Sequence, residues 1–74
     1  MPRIDAASIE EHVRLQTARI LDAATALFRE RGYGVPLADI ANEAGVVVET
    51  IYRIFGTKPA LFAAAVEALL AGGA

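Results

Sequence analysis

The sequence predicts an all-α protein built from four helices. In each of four segments, apolar residues recur at the three- and four-residue intervals of a helix face, and no segment alternates as a strand does. Glycines at positions 32, 45 and 56 separate these segments and suit the left-handed backbone that ends a helix. The chain has 74 residues, enough for one small domain. Because a chain of this size buries only about 60% of its unfolded surface, we expect a marginal core.

The first helix is predicted over residues 8–31. Ser8 and Glu11 have the spacing of a capping box, in which the two side chains bond the backbone at the helix start. Residues 1–7 show little pattern and are predicted to form a mobile tail. Gly32 is predicted to end the helix. The buried face is predicted from helical spacing to consist of Val13, Thr17, Ile20, Leu21, Ala24, Leu27 and Phe28.

Two short helices and a longer one are predicted to follow. The second helix covers residues 37–44, with Pro36 suited to its first position because the missing N–H costs nothing there. The third covers residues 48–55, and the fourth begins at residue 58 with Thr57 as its cap. The predicted apolar faces consist of Leu37, Ile40, Ala41, Ala44, Ile51, Ile54, Phe55, Leu61, Phe62, Ala65, Leu69 and Leu70. Since helices of eight residues are unstable alone, we expect the first helix to support them.

Residues 39–52 have the pattern of a helix, a three-residue turn and a second helix. Ala41 is small enough to let the helices approach, Gly45 makes the turn, and Val46 and Ile51 fill the corner between them. These features are typical of a helix-turn-helix, whose second helix enters a DNA major groove about 12 Å wide. The sequence therefore predicts a homeodomain-like three-helix core followed by the start of a linking helix.

The outward face of the third helix supplies candidate DNA contacts. By its chemistry, Arg53 suits guanine, Glu49 suits the amino group of cytosine, and Val48 suits a thymine methyl group. The candidates for phosphate contacts are Thr50, Tyr52 and Lys58.

Several of these residues also have a purely structural interpretation. Glu49 and Arg53 are four residues apart and can form an intrahelical ion pair worth about 0.2–0.5 kcal/mol. Tyr52 can be a packing residue with a wet hydroxyl, and Lys58 can be a plain solvated lysine. His12 stands in a polar stretch, and we interpret it as a surface side chain rather than a ligand or base.

Composition narrows the function classes. The net charge is −2, and residues 35–74 carry only Arg53 and Lys58 as basic residues, so DNA affinity must rest on a few placed groups and is expected to be weak. The sequence shows no cysteine, metal-ligand cluster or nucleophile–base pair, so we predict no enzyme, cofactor or metal site. The longest apolar run is too short to cross a bilayer and no signal peptide is visible, which predicts a cytoplasmic protein with no membrane association.

Six short motifs follow one another within residues 17–62. They are ARILDAA at 18–24, LFRERGY at 27–33, DIA at 39–41, AGV at 44–46, TIY at 50–52 and FGTK at 55–58. Together they resemble the N-terminal domain of TetR-family transcription regulators. The resemblance implies a DNA-binding domain over residues 8–58 and a connecting helix over residues 59–74. It also implies a C-terminal ligand-binding and dimerisation domain that this chain lacks, so we expect a piece of a longer protein.

The resemblance further implies a homodimer, usually a repressor, that binds a palindromic operator in double-stranded DNA and responds to a small-molecule effector. By position it assigns phosphate contacts to Thr50, Tyr52 and Lys58. It assigns base reading to Val47, Val48, Glu49 and Arg53. The alternative is a helical protein-interaction module that keeps the fold without strong DNA binding. The acidic second half and the apolar surface on Leu61, Phe62, Leu69 and Leu70 favour that alternative, although the absent domain would also cover this surface.

Two positions depart from the family pattern. The family commonly has a Ser or Thr pair before the second helix, where this chain has Val35, Pro36 and Leu37. It commonly has a serine after the Gly-Val of the turn, where this chain has Val47. Loss of a serine cap costs about 0.5–2 kcal/mol, and the β-branched run at residues 46–48 is poor for helix initiation. We therefore expect the third helix to start weakly.

Overall fold

A computed structural model describes residues 6–72 as a bundle of helices. In chain order these are α1 (Ala6–Arg31), α2 (Leu37–Ala44), α3 (Val48–Phe55) and α4 (Lys58–Gly72). The described residues contain no strand, so the all-α prediction is confirmed. Over the same residues, no single helix has the length and apolarity to span a membrane. Taken together, α3 and α4 reach that length and composition, but they are bent by 76° at their junction.

The start of α1 differs from the prediction. The helix begins at Ala6, which places Ser8 within its first turn, so the predicted N-cap at Ser8 is wrong. Ala6 and Ala7, predicted as part of the tail, are helical, and residues 1–5 lie outside the described residues. Alanine is the strongest helix former, so two alanines before Ser8 favour extending the helix beyond it.

Only the second half of α1 is packed against other helices. The buried residues of the predicted face are Ile20, Ala24, Leu27 and Phe28. Val13 is 44% exposed, so its assignment to the core is wrong, and the Thr17 hydroxyl donates to the Val13 carbonyl oxygen at 2.8 Å. A helix of 26 residues is about 39 Å long, whereas one of eight residues is about 12 Å. The apolar periodicity therefore continues past the point where α1 has a partner.

One large side chain from each helix is fully enclosed at the centre of the core. These four are Ile20 of α1, Ile40 of α2, Ile51 of α3 and Leu61 of α4. Each was assigned to an inner face from helical spacing, and that assignment is confirmed. The enclosure of Leu61 also shows that it contributes nothing to the surplus apolar surface expected on α4, and Phe62 packs partly against the core. The exposed apolar side chains of this helix are Val66, Leu69 and Leu70.

The turn between α2 and α3 is a Schellman motif. Gly45 has a φ of 76°, and its N–H donates to the Asn42 carbonyl oxygen at 3.3 Å. The Val46 N–H donates to the Ala41 carbonyl oxygen at 2.9 Å, which satisfies a carbonyl that the helix end leaves free. The Val46 side chain packs against the core. The predicted roles of Gly45 as the turn and Val46 as the corner residue are both confirmed.

Gly45→Ala should lower the free energy of unfolding by roughly 1–2 kcal/mol, because that is the cost of an L-residue in the left-handed region. No atom lies within 4 Å of a Cβ built at Gly45, so the loss would come from the backbone alone. Gly34→Ala is the matched control, since its Cβ also meets open space and its φ is not positive. Restricting the unfolded chain there should leave stability unchanged or raise it by up to about 1 kcal/mol. Urea unfolding followed by circular dichroism measures both, and equal losses would contradict the backbone explanation.

Candidate nucleic-acid interface

The first residue of α3 is Val48, as predicted, and Val47 is its N-cap. The Val47 backbone is extended, its carbonyl oxygen accepts from the Thr50 N–H at 3.0 Å, and its side chain makes no capping hydrogen bond. The expected loss of a cap hydroxyl at this helix is therefore confirmed. The helix still begins at Val48, because the turn at Gly45 fixes the backbone before it and the buried Ile51 anchors its middle in the core.

The start of α2 also has no side-chain cap. Pro36 was predicted at the first helical position, but it is the N-cap, one position earlier, and the helix begins at Leu37. Its ψ of 146° is extended, while its carbonyl oxygen accepts from the N–H groups of Asp39 and Ile40 at 3.1 and 3.4 Å. Proline fixes only φ, so it fits the N-cap as well as the position after it. The absence of a hydroxyl before this helix, expected from the sequence, is confirmed.

Val47→Ser should raise the free energy of unfolding by about 0.5–2 kcal/mol, because a serine oxygen at the N-cap accepts from a free N–H of the first turn. Val47 is 62% exposed, so the substitution removes little packing. Val47→Ala is the matched control, because it removes the branched side chain without adding an oxygen. A gain of the same size in both variants would show that the valine side chain itself, rather than the missing cap, weakens the helix. Thermal unfolding of the two variants beside the unsubstituted chain makes the comparison.

The solvent-facing side of α3 carries Glu49, Tyr52 and Arg53, all exposed as predicted. Val48 is partly buried against the core, so its prediction as an outward residue is wrong. Val48 and Ile51 are three residues apart and share a face of the helix, which turns Val48 inward together with Ile51. Val47 is the exposed apolar group at this end of the helix instead.

Thr50 lies deeper than its position on the flank of the predicted face suggested. Only 8% of its surface is exposed, the least of the three residues assigned to phosphates. Thr50 precedes the fully enclosed Ile51 and is four residues from Ile54, which packs against the core. Any contact of Thr50 with an outside group must therefore use the small part of its side chain that solvent reaches.

Glu49 and Arg53 do not form an intrahelical ion pair. Within residues 9–72 the ion pairs involve a single cation, Arg31, which lies 2.9 Å from an Asp39 oxygen and 3.5 Å from a Glu30 oxygen. The first of these pairs joins the end of α1 to the first turn of α2 and was not predicted. On α3, both charged side chains are left free of an internal partner.

Lys58, the first residue of α4, lies over the ring of Tyr33. The Nζ atom is 4.7 Å from the ring centroid, within the range of a cation–π contact. Lys58 is half-buried, so its interpretation as a plain solvated lysine is wrong. The preceding residue, Thr57, caps the helix as predicted, since its hydroxyl oxygen accepts from the Ala60 N–H at 3.2 Å. Sequence reasoning gave Tyr33 no function.

The order of these elements agrees with a known family of regulators. The family model described as bacterial regulatory proteins, tetR family, matches residues 20–65, from the packed half of α1 into α4. The chain belongs to the TetR family. The resemblance of the sequence motifs to the N-terminal DNA-binding domain of this family is therefore confirmed.

One curated relative comes from Bacillus subtilis (strain 168), where it is named an uncharacterized HTH-type transcriptional regulator, YezE. It is 39% identical over 57 residues, an alignment that covers 76% of this chain and 29% of the relative. The chain thus spans less than a third of the length of this relative. No solved structure matches this chain.

Proposed function

We propose that this chain is the operator-reading domain of a ligand-responsive transcriptional repressor, with α3 in the major groove of DNA. The observation that carries the proposal is the outward row of Glu49, Tyr52 and Arg53 on α3. The two charged groups have no internal ion pair, while Ile51 anchors the opposite face of the helix in the core. Reading base edges requires uncommitted donors and acceptors on a rigidly held helix, and this arrangement supplies both.

Each side chain is proposed to contact the part of DNA that its chemistry fits. Arg53 donates two N–H groups to guanine, and Glu49 accepts from the amino group of cytosine. Val47 meets a thymine methyl group, with Val48 beside it contributing less because it is partly buried. The groups proposed to bind phosphates and fix the position of the domain are Thr50, Tyr52 and Lys58.

A second copy is part of the proposal. Arg53 and Lys58 are the only basic residues after residue 34, so one copy offers few charges to phosphates. Two copies bound to a palindrome place their two α3 helices in successive major grooves, one turn of DNA apart, about 34–36 Å. We propose that a C-terminal domain of the longer protein holds the two copies together and binds the small-molecule effector. A protein that acts on bacterial DNA in this way works in the cytoplasm.

Selection of binding sites from a random-sequence DNA library by the full-length regulator tests this function. We expect an enriched palindrome. Its association constant, measured by fluorescence anisotropy, should fall by about 0.9 logarithmic units per phosphate contacted for each tenfold rise in salt concentration. Failure of the folded regulator to enrich any sequence would overturn sequence-specific binding. Deleting the gene in its own host separates repression from activation. Loss of a repressor raises transcription from promoters that carry the selected site, whereas loss of an activator lowers it.

A protein-interaction module is the second candidate, favoured by the exposed side chains of Val66, Leu69 and Leu70 on α4. Val66 and Leu69 line shallow grooves between α1 and α4, together with Leu21 and Thr25 of α1. Under the repressor proposal the rest of the protein covers this surface. The interaction module instead predicts that the full-length protein has no salt-dependent DNA affinity, which the anisotropy measurement decides.

A further inference from the structure

We propose that Tyr33 is a positioning residue for DNA binding, which holds the ammonium group of Lys58 where it meets a phosphate. The proposal rests on the proposed function and adds a residue that lies outside the helix-turn-helix. Tyr33 is in the loop between α1 and α2, twenty-five positions before Lys58. It is 44% exposed, so its ring lies at the surface and not in the core.

The Tyr33 ring is held in place by two other rings. It stacks on Phe28 with 6.0 Å between centroids and planes 10° apart. It meets Phe62 in an edge-to-face contact at 5.1 Å, and Phe62 meets Phe28 in the same way at 5.0 Å. Phe28 is buried in α1 and Phe62 is half-buried in α4, so the three rings join the end of α1 to the start of α4. Tyr33 is therefore a fixed platform, although it stands in a loop.

The platform orders a side chain that is otherwise mobile. A lysine gives up much rotamer freedom when its head binds a phosphate, and this loss weakens binding. In the free protein the Lys58 Nζ atom already lies over the Tyr33 ring, so part of that freedom is lost before DNA arrives. The ring attracts the charge without accepting a conventional hydrogen bond, which leaves the N–H donors of Lys58 for phosphate oxygens. No carboxylate in residues 9–72 pairs with Lys58 and neutralises its charge.

Two substitutions separate this positioning from a direct contact by the Tyr33 hydroxyl. Tyr33→Leu removes the aromatic face and should weaken the affinity of the full-length regulator for its selected duplex about two- to fivefold per copy. Tyr33→Phe keeps the aromatic face and removes only the hydroxyl, so this variant should retain the affinity of the unsubstituted regulator. In a Lys58→Ala background, Tyr33→Leu should weaken binding no further, because the group that it positions is gone.

The contact can also be measured without DNA, which keeps the test valid if Tyr33→Leu fails to fold. In the unsubstituted chain, the ε-methylene protons of Lys58 should show an upfield ring-current shift in the NMR spectrum. Tyr33→Phe should retain this shift, and a normal chemical shift in the unsubstituted chain would overturn the proposal. Equal weakening by Tyr33→Phe and Tyr33→Leu, or weakening by Tyr33→Leu in the Lys58→Ala background, would also overturn it. A regulator that binds no DNA before any substitution contradicts the proposed function instead, so the two failures are distinct.

Discussion

Leu61→Ala should lower the free energy of unfolding by about 2–5 kcal/mol. Leu61 is one of the four fully enclosed side chains, and its truncation both loses burial and leaves a cavity in the core. At roughly 0.05–0.15 kcal/mol per residue, a chain of 74 residues has about 4–11 kcal/mol of stability in total. The substitution is therefore expected to remove a large fraction of the stability, so that part of the population is unfolded at about 37 °C.

Leu70→Ala provides the matched control for this prediction. It is the same chemical change in the same helix, but Leu70 is 76% exposed and leaves no cavity when it is shortened. The expected effect on the free energy of unfolding is within about 0.5 kcal/mol. Urea unfolding followed by circular dichroism measures both variants. Losses of similar size would show that α4 is not seated on the core through Leu61.

Helix ends were predicted well wherever the determinant is local. The Gly45 turn and the Thr57 cap each depend on one residue type at one position, which can be recognised without knowing the rest of the fold. The start of α1 shows the limit of this reasoning. Ser8 has the features of a cap, but the two alanines before it allow the helix to begin earlier.

Burial was predicted poorly wherever it depends on what lies opposite. Val13 has helical spacing but is 44% exposed, because the buried residues of α1 begin only at Ile20. Val35 is almost fully buried although it stands in a loop, where no periodicity marks it. Val48 is partly buried, and its spacing of three residues from Ile51 is a local pattern that places both on one face of the helix.

The candidate interface divides in the same way. The exposure of Glu49, Tyr52 and Arg53 was predicted correctly. In one short helix, the apolar residues identify the inner face, and the remaining positions must then lie on the outer face. Their contacts with DNA stay predictions. The contact of Lys58 with Tyr33 exists only because α4 packs back on α1, so no local pattern could have predicted it.

Arg53→Ala should change which DNA sequence is preferred. A bidentate arginine–guanine pair discriminates against other bases by about 1–3 kcal/mol, so the preference at one base pair of each half-site should fall roughly 5- to 150-fold. Lys58→Ala is expected to weaken all sequences alike and to reduce the salt dependence by about one phosphate contact. Anisotropy with duplexes that differ at single base pairs measures both effects.

Arg53→Lys separates the charge of Arg53 from its shape. Lysine keeps the positive charge but lacks the planar pair of donors that matches the two acceptors of guanine. If Arg53 reads a base, this variant should keep the salt dependence of binding and still lose the sequence preference. If Arg53 only neutralises phosphate, lysine should preserve both. The free guanidinium of Arg53, which has no ion pair with Glu49 in the folded chain, leads us to expect the first result. A sequence preference unchanged by Arg53→Ala would end the assignment of base reading to this residue.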